Sequence, residues 1–184
     1  MSRQYWSETI TWATASGVAV ANTAAETIAF PNVTIPAIYL QDGRSLRLRV
    51  QGQYSTTGTP TIVFKLRWGG VAGTILTQTA ACTLPTITAG MWDLDILLTT
   101  RSNGSAGTVM ALGVARVHAG VAGTVASVTG EGLVTPMGSA GVLTPAAVTA
   151  DLTADTALSI TALWSTASAS NTLTGLNYTI ESLN

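Results

Sequence analysis

The stretch of sequence that decides the fold reads Ile62-Val63-Phe64-Lys65-Leu66-Arg67-Trp68. Large apolar side chains occupy every second position, and Lys65 and Arg67 stand between them. Successive side chains of a β-strand point to opposite faces of a sheet, so this spacing predicts a strand with one buried and one exposed face. The same alternation recurs at 46–50 and at 92–98, which predicts two more strands of the same kind.

Other segments also have the composition of strands, because Thr, Val and Ile dominate and Gly or Pro interrupts most windows. β-Branched residues lose rotamer freedom in a helix and fit a pleated sheet well. Asp42-Gly43 and Asn103-Gly104 are turn signals between such segments. About nine or ten short strands at this spacing predict an all-β sandwich, jelly roll or barrel. The long strands predicted as its framework lie at 46–54, 60–68, 91–101 and 107–118, and further strands are predicted near 8–15, 26–30, 33–40, 74–79, 158–164 and 176–180.

The two faces of these strands predict a core and a charged exterior. The inward positions that we expect in the core are Leu46, Leu48, Val50, Ile62, Phe64, Leu66, Trp92, Leu94, Ile96, Leu158, Ile160 and Trp164. Outward positions carry four cations on two strands that we expect to be neighbours, and two carboxylates on a third: Arg47, Arg49, Lys65 and Arg67, with Asp93 and Asp95. Opposite charges on adjacent strands attract, so both carboxylates are expected near at least one of these cations.

The composition disfavours most kinds of active site. The 184 residues include one His, one Cys, one Lys and 31 Thr, and only 9% of the residues are charged although 47% are hydrophobic. Catalytic groups are mostly His, Cys, Lys or clustered carboxylates whose pKa values are tuned by their neighbours. We therefore predict a structural or binding protein and not an enzyme.

The charge is also too sparse for nucleic acid or for a membrane surface. Eight basic residues are spread along the chain, and the formal net charge is −1. Binding to a phosphate backbone needs many clustered cations. The sequence shows no polybasic segment, no apolar run near the ~18 residues of a membrane span and no signal-peptide core at its start. We expect neither nucleic acid nor a membrane as a partner.

The chemically reactive side chains do not combine into a known motif. His118 is the sole histidine, no nucleophile motif accompanies it, and we expect it at a surface or interface. Cys82 has no second cysteine to pair with and is expected to be buried. Zinc needs three or four ligands, and the aspartate pairs at 93/95 and 151/155 match no calcium loop, so ion pairing is the better interpretation of the first pair. No catalytic residue, metal or cofactor is expected.

Five tryptophans are the side chains that could stack on sugars. Trp68, Trp92 and Trp164 fall in phase with the inward sets, which predicts that they belong to the core. Trp6 and Trp12, near the N-terminus, are the candidates for exposure or for subunit contact.

One segment, at about 119–150, differs from the rest of the chain. It consists mainly of Gly, Ala, Val, Thr and Ser, and Glu131 is its one charged residue. Two interpretations stay open: an apolar insertion that packs against a neighbouring subunit, or extra strands of the same sandwich. We expect a single domain over 1–184 with a short N-terminal arm at about 1–22. The expected subunit or capsid contacts are Trp6, Trp12, Val121, Val125, Leu133, Val134 and Leu143.

Several runs of the sequence together form a wider pattern. They are Ile35-Pro36-Ala37-Ile38-Tyr39-Leu40-Gln41-Asp42-Gly43-Arg44, the run from Leu46 to Pro60, Leu66-Arg67-Trp68-Gly69-Gly70, Thr99-Thr100-Arg101, Gly107-Thr108-Val109-Met110 and the terminus at 171–184. This pattern resembles small jelly-roll virion proteins of tailed bacteriophages, of the minor capsid, head decoration or fibre-knob type. The resemblance covers most of the chain and implies an antiparallel jelly-roll β-sandwich. The 119–150 segment departs from it, since it is longer and more apolar than the pattern needs.

The resemblance implies a structural role in a virion. The expected function is a non-enzymatic capsid decoration or minor capsid protein that stabilises a phage head, located at the capsid surface and assembled in the host bacterial cytoplasm. The expected partners are the major capsid protein and further copies of this chain, in a trimer that matches threefold positions between capsid hexamers. Closed rotational symmetry would also cover apolar patches on a surface with little charge. The alternative is a fibre or tail knob that binds a host-surface glycan; an enzyme such as a carbohydrate hydrolase is a third, disfavoured possibility.

Overall fold

A computed structural model describes residues 7–118, 133–139 and 145–183. This part of the chain contains fourteen β-strands and no α-helix, which confirms the all-β prediction. The strands are β1 (Glu8–Trp12), β2 (Val20–Ala21), β3 (Thr27–Ile28), β4 (Val33–Ile35), β5 (Ser45–Thr56), β6 (Thr61–Trp68), β7 (Thr74–Thr79), β8 (Cys82–Thr83), β9 (Ile87–Ser102), β10 (Gly107–Val117), β11 (Leu133–Gly138), β12 (Val148–Ala150), β13 (Thr156–Trp164) and β14 (Thr172–Ser182).

The strands form one large antiparallel sheet. Its main path runs β1-β14-β5-β9-β10-β11-β7-β6-β13-β3, while β2 pairs with β14, β12 with β10, β4 with β13 and β8 with β6. The four longest strands, β14, β5, β9 and β10, lie side by side, so they form a continuous platform at one end of the path.

The path folds back so that its two ends share one core. Phe64 on β6 and Trp92 on β9 stack with their ring centroids 5.1 Å apart, although β10, β11 and β7 separate their strands along the path. β11 makes this return possible, because it pairs with β10 and also with β7 through Met137 and Gly138. Residues of both ends therefore belong to a single hydrophobic cluster.

The predicted core is confirmed. All twelve inward residues named from the sequence are buried, and Ile160 is the most exposed of them at 7%. Trp68 is buried as well, and its Nε1 donates to the Asp151 carbonyl at 2.7 Å. Each tryptophan predicted for the core is thus inside it, because the period of two along a strand fixes which side chains share a face.

The prediction that the two strands with basic side chains are neighbours is wrong. We expected β5 and β6 to be adjacent, but β5 pairs with β14 and β9, whereas β6 pairs with β7, β13 and β8. A tight turn places Gly58 at φ 72° between β5 and β6. The two strands nevertheless separate into the two facing ends of the sheet, so their outward side chains point to opposite exteriors of the molecule.

The strand count also exceeds the expected nine or ten, and some bounds differ. Most of the additional strands are two or three residues long, as in β2 and β8, and such short pairings leave no periodic signal in a sequence. The strand predicted at 33–40 ends at Ile35. Pro36 follows and begins a turn, in which the Tyr39 amide donates to the Pro36 carbonyl at 3.1 Å. The Asp42-Gly43 turn is present, with Gly43 at φ 80°.

Both regions singled out beside the main framework contribute strands. Within 1–22, β1 and β2 each pair with β14. Within 119–150, β11 and β12 both pair with β10. The described parts of this second segment therefore contribute two strands to the same sheet, while 119–132 and 140–144 lie outside the described residues.

Candidate functional site

The candidate site is the outer face of β1, β14, β5, β9, β10 and β11, the side turned away from the core. Directly paired residues on neighbouring strands point to the same face, so the register assigns each side chain. One row of paired residues crosses all six strands, and we call it the Trp12 row. Its members are Trp12, Thr179, Arg49, Asp95, Val114 and Pro136.

Two ion pairs occupy the middle of this face. Arg47 donates from Nε to Asp95 Oδ1 at 3.1 Å and from a terminal nitrogen to Oδ2 at 2.7 Å. Arg116 donates to Asp93 Oδ2 at 2.6 Å. The hydrogen bonds from Arg47 lower the pKa of Asp95, which burial alone would raise. The expected ion pairing is confirmed for Asp95, and the partner of Asp93 is Arg116, a cation outside the predicted set.

Arg49 is the exception among these charges. It lies directly opposite Asp95, but that carboxylate is held by Arg47. Within the described residues, no ion pair or hydrogen bond of the Arg49 side chain is found. The guanidinium lines an open cleft of about 220 Å³ together with Gln51, Asp93, Asp95 and Arg116. The Arg49 guanidinium therefore has five N–H donors without a partner among the described residues, and the exposed Arg101, farther along β9, likewise has no partner there.

The two ends of the outer face are apolar. At one end Trp12 on the edge strand β1 is 59% exposed. At the other end Leu97, Leu112 and Val134 are 47%, 36% and 62% exposed. Leu97 and Leu112 are direct cross-strand partners, and Val134 lies opposite Arg116. An aromatic end and an aliphatic end thus flank the charged centre.

The residues expected at subunit or capsid contacts lie in different parts of the structure. Trp12 and Val134 both lie on the outer face, five strands apart along the path. Leu133 is 37% exposed but belongs to the opposite face, because its partner Val117 points into the core. The other four, Trp6, Val121, Val125 and Leu143, lie outside the described residues.

A second charged cluster lies on the other exterior, at the start of β3. Glu26 accepts hydrogen bonds from Lys65 Nζ at 2.7 Å, from Thr161 Oγ1 at 2.5 Å and from Arg67, whose terminal nitrogen lies 2.7 Å away. Burial would raise the pKa of Glu26, but these hydrogen bonds outweigh it and lower the pKa to about 2. Of the four cations considered for Asp93 and Asp95, Lys65 and Arg67 are bound instead to Glu26, because β6 faces away from the outer face.

Sequence reasoning missed this cluster because its members are far apart in the chain. Glu26 precedes Lys65 by 39 positions and Thr161 by 135. No local pattern links residues at such distances. The one available signal was that Lys65 and Arg67 stand at alternate positions of one strand, which predicts a shared carboxylate on a neighbouring strand without saying which strand that is.

The remaining reactive groups are isolated from one another. His118 is exposed, as expected, and its carbonyl accepts a hydrogen bond from the Tyr54 hydroxyl at 2.5 Å. Cys82 is buried, as expected. Asp151 accepts hydrogen bonds from Thr153, and Asp155 from the Ala37 amide, so both serve turns. No group of three potential metal ligands is found in the part of the chain that the structure describes.

Two further findings bear on function. In the described ranges, no helix is long and apolar enough to cross a membrane. Comparison with known proteins finds no family model that matches the chain and no matching curated protein.

Proposed function

We propose that this chain is a structural protein of a phage virion. It acts without catalysis as a capsid decoration or minor capsid protein, forms a homo-oligomer and stabilises the head by contact with the major capsid protein. Its place is the capsid surface, after assembly in the host bacterial cytoplasm. The observation that carries the proposal is a large antiparallel β-sheet domain of low charge whose outer face exposes Leu97, Leu112 and Val134.

The finer fold that we propose is a jelly-roll β-sandwich. Two features support it: the stacking of Phe64 on Trp92 across the core, and the return of the path through β11. In a sandwich the inner faces of two sheets interdigitate, and each strand alternates between the core and the exterior. The burial pattern of β6 alternates in this way along its whole length.

The proposed oligomer is a trimer that uses the aliphatic end of the outer face. Contiguous exposed apolar side chains on a soluble domain mark contact surfaces. The ion pairs Arg47–Asp95 and Arg116–Asp93 lie beside this end. Because each carboxylate already has a cation as its partner, neither is left unpaired when Leu97 and Leu112 are buried at a contact. Closed threefold symmetry covers such a patch without open-ended growth, and it matches the capsid position implied by the sequence resemblance.

Light scattering of the full chain tests the oligomer. At tens of micromolar we expect the mass of a trimer, and Val134→Asp should shift it toward the monomer because a carboxylate would be buried at the contact. Val18→Asp is the matched control, since Val18 is 87% exposed and lies outside the outer face between β1 and β2. A wild-type monomer that also fails to bind empty capsids would overturn the proposal.

A second candidate function is a fibre or tail knob that binds a host-surface glycan. The exposed Trp12 favours this candidate, because it shares its row with Arg49, which has no ion pair within the described ranges. A glycan array probed with the full chain separates the two functions, because a pure decoration protein would bind no glycan. Imaging of labelled protein on intact particles then distinguishes a head location from a tail location.

A further inference from the structure

We infer that the part of the outer face formed by β1, β14 and β5 binds an oligosaccharide that carries a carboxylate. Trp12 and Arg49 are the two principal contacts, with neutral polar side chains between them. This inference rests on the second candidate function and names its ligand class. It is independent of whether the chain also forms a capsid trimer.

Trp12 supplies an aromatic platform. It lies on the edge strand β1, is 59% exposed and forms no ring contact with another aromatic side chain of the described residues. Within the same residues its indole N–H has no hydrogen-bond acceptor, whereas those of Trp68, Trp92 and Trp164 each donate to a carbonyl. An exposed indole offers a flat apolar face and one donor, which suits the C–H face and the hydroxyls of a sugar ring.

Arg49 supplies the anion-binding group. Thr179 is the direct partner of both Trp12 and Arg49, so two interstrand spacings, or about 10 Å, separate the backbones of the two residues. A guanidinium binds a carboxylate through two parallel hydrogen bonds. The bond from Arg47 to Asp95 matters here, since it occupies the carboxylate that would otherwise pair with Arg49.

Neutral hydrogen-bonding groups fill the space between and beside these contacts. Thr179 lies between Trp12 and Arg49, and the next row places Asn177 opposite Gln51. Amide and hydroxyl groups both donate and accept, which matches the hydroxyls of a saccharide. Glu181 on β14 lies opposite Arg47. Asp93 and Asp95 on β9 line the cleft beside Arg49, and they accept hydrogen bonds from Arg116 and Arg47.

These features favour an acidic saccharide over an acidic peptide. A peptide that used Arg49 would gain from apolar contacts near it, but the exposed aliphatic residues of the neighbouring strands, Leu97 on β9 and Leu176 on β14, lie outside the row that joins Trp12 to Arg49. Around Arg49 the neighbours on β14 and β5 include the neutral Thr179, Asn177 and Gln51, beside the charged Arg47 and Glu181. Such a surface satisfies many ligand hydroxyls and buries little aliphatic area.

Calorimetric titration of the full chain tests the inference with four probes. Trigalacturonic acid and sialyllactose carry carboxylates, and the methyl ester of the first and lactose are their neutral counterparts. We expect the acidic probes to bind at least about tenfold more tightly, because a hydrogen bond between two charged groups is stronger than one to a neutral ester or hydroxyl. Arg49→Gln should abolish this preference, while Trp12→Ala should weaken acidic and neutral probes alike and Trp12→Phe should retain part of the binding.

Arg101→Gln is the matched control. Arg101 is an exposed arginine on β9, six residues from Asp95 and about 20 Å away along the strand, so its removal should leave every affinity unchanged. Equal affinity for acidic and neutral probes would support glycan binding but would overturn the inference that the ligand carries a carboxylate. Binding of an oligoglutamate peptide but of no saccharide would assign the site to a protein partner, and no binding of any probe would remove both the inference and the second candidate function.

Discussion

Replacement of Glu26 by glutamine should destabilise the protein by removing the charge at the centre of a buried cluster. The side chains of Glu26, Lys65 and Arg67 are only 11–12% exposed. Glutamine keeps the shape of the side chain but leaves two buried cations without a counter-ion. It would also loosen the segment that leads into β3, because Glu26 ties that segment to β6 and, through Thr161, to β13.

The pKa of Glu26 sets the size of the effect. Burial raises it, and the hydrogen bonds from Arg67, Lys65 and Thr161 lower it further than burial raises it, to about 2 from 4.5. One pKa unit corresponds to about 1.4 kcal/mol, so the ionised carboxylate contributes about 3 kcal/mol to the free energy of unfolding near pH 7. Loss of one partner from a buried ion pair typically costs about 3–5 kcal/mol, which agrees.

The pH dependence distinguishes this charge effect from a loss of packing. Because the folded-state pKa lies below the unfolded value of 4.5, the contribution is fully present above that pH and is lost as the pH falls toward 2. In urea titrations followed by tryptophan fluorescence, wild type should exceed Glu26→Gln by about 3 kcal/mol at pH 7 and by about 1 kcal/mol at pH 3. A difference that does not change with pH would refute the electrostatic reasoning.

Glu8→Gln is the control for this series. Glu8 is an exposed carboxylate on the edge strand, and it forms no ion pair within the described residues. Its replacement should change the free energy of unfolding by less than about 0.5 kcal/mol at either pH. A loss as large as that of Glu26→Gln would show that any carboxylate of this chain has the same effect.

Three further predictions concern the core. Phe64→Ala should lower the free energy of unfolding by about 3–5 kcal/mol in denaturant titration, because the ring is buried and stacked on Trp92; a loss below about 1 kcal/mol would contradict that packing. Gly175→Ala should cost at least about 1–3 kcal/mol in thermal melts, since a Cβ there would lie 2.0 Å from the Phe30 ring, and an unchanged melting temperature would show that the ring moves freely. The buried thiol of Cys82 should react with a maleimide many times more slowly in native protein than in urea, and equal rates would place it at the surface.

Much of the fold can be predicted from the sequence, because side chains at alternate positions of a strand point to opposite faces of the sheet. The inward set of β6 is readable from seven residues, and the same holds for β5 and β9. Turn chemistry is equally local, as the Asp42-Gly43 pair and the positive φ of Gly43 show. Burial of Trp92 also follows, since it is in phase with the inward set of its strand. Exposure of Trp12 is expected only from its place near the N-terminus, and the irregularity between Thr9 and Thr11 is what puts Trp12 opposite Thr179 on the outer face.

The partners of each strand were decided only by the tertiary structure. Alternation says that Lys65 and Asp95 point outward, but it carries no information about which strands are adjacent or which exterior each charge reaches. Because the sheet folds back through β11, Lys65 binds Glu26 on one exterior, and Asp95 binds Arg47 on the other. The candidate saccharide site arises in the same way, because the pairing of β1 with β14 and of β14 with β5 brings Trp12 into one row with Arg49. Such pairings depend on contacts between residues far apart in the chain, and the free energy that selects them is that of the whole core, which no single segment encodes.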